Sequence, residues 1–137
     1  MNGQVLSVES GDLITLTRAN GDRKTIRLLG ISAPPKQTKL RRASRRHLKM
    51  LLAGKFITVS YQRVTAKGEI LGRVLHGGSD IGLQMLEAGL ARIKNHRELT
   101  GALMEGYREA QRKAQDRRLG LWSTNSQQRR GLLRPAR

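Results

Sequence analysis

Lys and Arg number 27 against 10 Asp and Glu in this chain of 137 residues, a net charge of +17 that draws polyanions and speeds their encounter. Length and a 37% hydrophobic content suit one compact domain, and no apolar run is long enough to span a membrane. The absence of cysteine excludes disulfides and thiolate metal sites.

The first residues, MNGQVLSVESGD, lack the basic start and apolar centre of a signal peptide, so cytoplasmic residence is expected. The charge is also local: residues 23 to 68 hold 13 basic residues and no acid. A solubilising surface mixes signs and carries a much smaller net charge, so nucleic acid is the expected partner. No helical stretch carries the aromatic face that favours an acidic membrane surface, and no membrane partner is expected.

Residues 4–8 (QVLSV) and 13–18 (LITLTR) largely alternate apolar with polar and read as half-buried strands. Asn20-Gly21 marks a hairpin turn, because both residues tolerate positive φ. Residues 24–30 (KTIRLLG) return as a third strand. Residues 38–55 follow as a helix, with Leu40, Ala43, Ser44, His47, Leu48 and Leu51 on one side. Lys39, Arg41, Arg42, Arg45, Arg46 and Lys49 gather on the other, and Gly54 is a natural stop. Residues 55–62 (KFITVSYQ) and 69–76 (EILGRVLH) read as the fourth and fifth strands, joined by a turn at Lys67-Gly68. A helix over 80–91 turns Ile81, Met85, Leu86 and Leu90 inward; another over 98–118 does so with Leu99, Leu103, Tyr107, Ala110 and Ala114. Residues 123–137 are polar, basic and free of acid, and read as a flexible tail after a domain of residues 1–122. Five strands and three helices in this order make an α+β, β-rich chain: a small closed barrel flanked by helices, an architecture that often binds oligonucleotides.

The ordered fragments VESGDLITL, IRLLGISAPP, ASRRHLKMLLAGK, LGRVL, MLEAGLARI and GLW resemble the staphylococcal nuclease-like (thermonuclease) family over about residues 3 to 122. The resemblance implies a five-stranded barrel of the oligonucleotide-binding type with three helices. It also implies phosphodiester cleavage with a calcium ion, a carboxylate base and two arginines. On that pattern Asp12 keeps the place of one metal carboxylate, the first arginine falls on Arg27, and the second falls on Arg73 of LGR. Leu71 stands where the family has tyrosine. The second metal carboxylate and the base fall on Ser32 and Pro35.

Proline takes no proton from water, and calcium asks for six to eight oxygens, several usually carboxylate. Neither a metal site nor a catalytic residue is therefore expected, and no cofactor. Glu9 and Glu69 are the acids near enough in sequence to substitute as base, and pairing with arginines is the better account of both. Arg27 and Arg73 have two open roles, since a forked donor suits a phosphate and a carboxylate such as Asp12 alike.

His47, His76 and His96 share no metal-ligand spacing, and His47 on the apolar side of its helix reads as a core residue. GGSD at 77–80 reads as a plain strand-to-helix turn, and Trp122 as core. The charge and the resemblance together point to a nucleic-acid-binding protein on a degenerate nuclease fold, contacting DNA or RNA phosphates through Lys39, Arg41, Arg42, Arg45, Arg46 and Lys49, together with Arg27 and Arg73. Two alternatives stand beside it: a working nuclease with a rewired metal site, and a protein-interaction scaffold in a nucleic-acid-processing complex.

Overall fold

The computed structural model describes residues 1–94 and 96–123. Its strands are β1 (Asn2–Ser10), β2 (Leu13–Thr17), β3 (Arg23–Leu28), β4 (Ile31–Ser32), β5 (Phe56–Val64), β6 (Ile70–His76), β7 (Ser79–Asp80) and β8 (Arg92–Ile93). The α-helices among these residues are α1 (Lys39–Leu52), α2 (Ile81–Glu87) and α3 (Gly101–Asp116), with single 3₁₀ turns at His96–Glu98 and Gly120–Trp122. All five expected strands and three helices form. The two-residue strands β4, β7 and β8 were not expected, because a pair that short leaves no periodicity to read.

The main sheet runs β3-β2-β1-β5-β6-β7 and closes on itself where β3 pairs in parallel with β6, Ile26 opposite Ile70 and Leu28 opposite Gly72. The result is a closed mixed barrel of five strands. Alternation fills it: Ile14, Leu16, Ile26, Val59 and Val74 point inward and are essentially inaccessible. In β1 the register slips between Val5 and Ser7, so Val5 and Val8 both face the core despite their odd spacing. At the first hairpin only Gly21 takes positive φ, at 89°, and Arg18 N–H bonds Asp22 O at 2.8 Å, so the loop is wider than a two-residue turn.

Helix α1 starts at Thr38, whose hydroxyl accepts from Arg41 N at 3.1 Å, and stops before Gly54 at φ 72°. Ser44, Leu48 and Leu52 are its fully buried residues. Leu40, Ala43, His47 and Leu51 are half-buried, so the inward stripe is rolled from the expected one. Two bonds fix the roll: Ser44 Oγ donates to Leu90 O at 2.7 Å, and Arg45 Nε to Val8 O at 2.9 Å. His47 is a half-buried residue rather than a core one, and that burial lowers its pKa.

Ile81, Met85 and Leu86 of α2 and Tyr107, Ala110 and Ala114 of α3 close the core from one side, as expected; Leu90 and Leu103 are only half-buried. At the end of this layer Leu121, not Trp122, is the inaccessible residue. Leu121 N–H bonds Gly89 O at 2.8 Å, a backbone approach so close that Cβ atoms on Gly89 or Gly120 would meet the opposing carbonyl. Trp122 is half-buried, and its indole N–H has no hydrogen-bond partner among the described residues. The expected basic tail lies outside the described residues except for Ser123. No helix among them is long and apolar enough to cross a membrane.

Candidate functional site

The turn after β1, the loop around β4, the start of α1 and the β5–β6 hairpin surround a cavity of about 510 Å³. Asp12, Arg27 and Ser32 line it together with Lys36, Arg41, Arg63, Lys67, Glu69, Lys94 and Glu98. Closure of the barrel explains the meeting of Arg27 and Glu69. The parallel pair Ile26–Ile70 sets Arg27 one residue beyond the contact and Glu69 one residue before it. Glu69 is held there because its N–H bonds Thr65 Oγ1 at 3.2 Å and its carbonyl accepts Thr65 N–H at 2.8 Å.

Arg27 is engaged on three nitrogens. Its Nε and Nη2 donate to the two oxygens of Glu69 at 2.8 and 3.3 Å, and its Nη1 donates to Asp12 Oδ2 at 3.3 Å. The Glu69 carboxylate, with Asp12 adding to it, raises the Arg27 pKa. The Arg27 hydrogen bond in return holds Glu69 below its ordinary carboxylate value. A depressed pKa means the ionised pair stabilises the fold fully above the unfolded glutamate value of about 4.3, and that the contribution is lost as pH falls through the folded value. The stability gap between the wild type and Glu69→Gln should therefore be widest near neutrality and close below about pH 4 in urea titrations. A gap that widens in acid would contradict the pairing.

Asp12 is buried at 4% exposure with both oxygens occupied. Oδ1 accepts the Ser10 hydroxyl at 2.6 Å; Oδ2 accepts Ala33 N–H at 3.0 Å and the Arg27 bond. Ser32 Oγ donates to Ala33 O at 3.2 Å, and exposed Pro35 does not line the cavity. The calcium ion of the nuclease pattern does not fit this donor set. The two carboxylates near each other are bridged by a guanidinium, and Ser32, where the resemblance puts the second metal carboxylate, carries a hydroxyl. Among the described residues no three His, Asp or Glu side chains gather into a cation site.

Arg73 stands elsewhere. It lines no part of the cavity, and its Nε donates to Asp80 Oδ2 at 2.7 Å, with the Tyr107 hydroxyl bonding the same carboxylate. Both arginines pair with carboxylates here. Arg73's partner is Asp80 rather than Asp12, while Arg27 does pair with Asp12 and also with Glu69, the residue just before β6. The GGSD segment does make a strand-to-helix turn, but its Asp80 also accepts Leu83 N–H at 3.0 Å as the cap of α2.

The six cations of α1 divide. Arg41 lines the cavity and donates from Nη1 to Pro34 O at 2.9 Å, and Arg45 is tied to Val8 O. Lys39, Arg42, Arg46 and Lys49 are exposed and make no ion pair among the described residues. Sequence reasoning missed the other cavity cations, Lys36, Arg63, Lys67 and Lys94. The acid-free run from 23 to 68 contains three of them, but nothing local shows that they converge.

The staphylococcal nuclease homologue family matches residues 25–124. Two proteins named "Uncharacterized endonuclease", from Escherichia coli and Escherichia coli O157:H7, are each 32% identical over 124 residues, covering 90% of this chain and 78% of theirs. With the closed barrel, its three helices and a cavity built around Asp12 and Arg27, the match is of fold and sequence together: this chain belongs to the staphylococcal nuclease homologue family.

Proposed function

We propose that this domain binds nucleic acid through phosphate contacts on the exposed side of α1 and does not cleave it. One observation carries the proposal: at the centre of the cavity a single guanidinium is held between Asp12 and Glu69, leaving neither a vacant carboxylate for a metal nor a free arginine fork for a phosphate. Pro35 supplies no proton acceptor in place of the family base. The affinity then comes from outward-facing cations, which follow the backbone and read little sequence. The endonuclease names of the two relatives favour a second reading, hydrolysis by a rewired site.

Labelled single- and double-stranded DNA and RNA oligonucleotides, incubated with calcium, with magnesium and with chelator, separate these. The expected result is retarded mobility with strands intact in every condition, and no heat of calcium binding in a calorimetric titration. Cleavage that follows added metal and disappears in Asp12→Ala would establish the second reading instead. Neither retardation nor cleavage would leave a scaffold for protein partners.

A further inference from the structure

Arg27 and Glu69 form a two-point pair: two nitrogens of one guanidinium face two oxygens of one carboxylate, at 2.8 and 3.3 Å. The non-bridging oxygens of a phosphate present the same forked acceptor to the same donors. We propose that Glu69 is a specificity-determining residue: its carboxylate occupies the phosphate-reading edge of Arg27, excludes nucleotide phosphates from the cavity, and leaves a latent nucleotide site that opens when its charge is removed. This deepens the reading above, on which it rests only for the place where nucleic acid is held instead.

Apart from Asp12, which stays on Arg27 Nη1, and Glu98, the other charged groups lining the cavity favour an anion. Lys36, Lys67 and Lys94 line it and make no ion pair among the described residues. Its volume of about 510 Å³ is in the range of small-molecule sites. Glu98, the third acid beside Asp12 and Glu69, is engaged by Gly30 N–H at 2.9 Å and by Arg63 at 3.2 Å. A phosphate entering the wild-type protein must displace Glu69 from Arg27 and then lie within a few ångströms of a carboxylate whose backbone stays in place. The Glu69 side chain is only 14% exposed and its backbone is pinned at both ends by Thr65. Like charges that close repel strongly enough to offset much of the attraction of a distant lysine. Glutamine keeps the size and one acceptor oxygen while removing the repulsion.

The experiment uses the full chain at low salt and titrates adenosine 3′,5′-bisphosphate, with inorganic phosphate in parallel, into the wild type, Glu69→Gln and Glu9→Gln. Glu9 is an exposed acid on β1, bonded to the Ser7 and Thr15 hydroxyls and outside the cavity, so it controls for a general gain in positive charge. Calorimetry gives affinity, and the Arg27 Nε–H resonance reports contact at the guanidinium. Glu69→Gln should bind the bisphosphate at least about tenfold more tightly than the other two, with the Arg27 resonance moving to saturation. Glu69→Asp, which shortens the reach without removing the charge, should show neither effect and serves if the glutamine variant does not fold, a dispersed spectrum being the check. In that event a moving Arg27 resonance in Glu69→Asp or in the wild type overturns the proposal. So does an equal gain in Glu9→Gln, or a gain that leaves Arg27 unmoved. Oligonucleotide binding on α1 does not enter this titration, so its failure would count against the proposed function and leave the role of Glu69 to stand or fall here.

Discussion

Replacing Lys39, Arg42, Arg46 and Lys49 together by Gln should remove most of the affinity for oligonucleotides, and should flatten the slope of log affinity against log salt on duplex DNA by about 3 to 4. These four recur at spacings of three and four along α1, so they share one side of the helix over a rise of about 15 Å, long enough to reach two or so successive phosphates. They are also the α1 cations with no partner among the described residues, whereas Arg41 and Arg45 are bonded to the carbonyls of Pro34 and Val8. The variant should fold at least as well as the wild type. Like charges three or four apart repel by a few tenths of a kcal/mol per pair, and glutamine relieves that. A comparison pair, Arg27→Gln with Arg73→Gln, should behave in the opposite way. It strips partners from Asp12, Glu69 and Asp80 and loses stability, yet leaves the salt slope nearly unchanged. If the pair costs more affinity than the helix set in equally folded proteins, the cavity holds the nucleic acid and the assignment to α1 is wrong.

The largest expected loss of stability is at Asp80, which is 8% exposed and joins three elements. One oxygen caps α2 through Leu83 N–H; the Tyr107 hydroxyl of α3 reaches both oxygens at 2.8 and 3.0 Å; Arg73 of β6 closes the set at 2.7 Å. Burial, then the Asp80 charge, pushes Tyr107 well above the ordinary tyrosine range, so its hydroxyl remains a donor throughout the working pH range. Asp80→Ala leaves the buried Tyr107 hydroxyl without its acceptor, turns Arg73 over to water and uncaps α2, a loss of about 2–4 kcal/mol in urea denaturation. Asp80→Asn retains a cap and an acceptor and should lose about 1–3 kcal/mol. A loss under about 1 kcal/mol in the alanine variant would mean that water replaces these bonds at little cost.

The strands, the helices and their order were legible because each rests on a local pattern. Ile14 and Leu16 alternate with threonines inside five residues, and Tyr107, Ala110 and Ala114 recur within two turns. Family membership was legible for the same reason, as a series of short fragments in order. The inward face of α1 was legible only to within about one residue. Periodicity marks where apolar residues gather, but the roll of a helix is set by what it lies against, and here two polar contacts, to Leu90 O and Val8 O, set it.

The residues alone determine a strongly basic chain, with Pro35 and Ser32 at the two places where the family resemblance implies a base and a second metal carboxylate. Those facts are identities at positions, and no folding is needed to read them. Which charges remain available was decided only in three dimensions. Arg27 meets Glu69 across 42 residues of chain, through a parallel pairing that closes the barrel. Arg73 turns to an aspartate read locally as part of a turn, and Arg41 and Arg45 turn to the carbonyls of Pro34 and Val8, which no sequence pattern marks as their partners. Sequence counts charges, but an ion pair forms where the backbone brings two of them within about 4 Å, and that distance belongs to the tertiary structure.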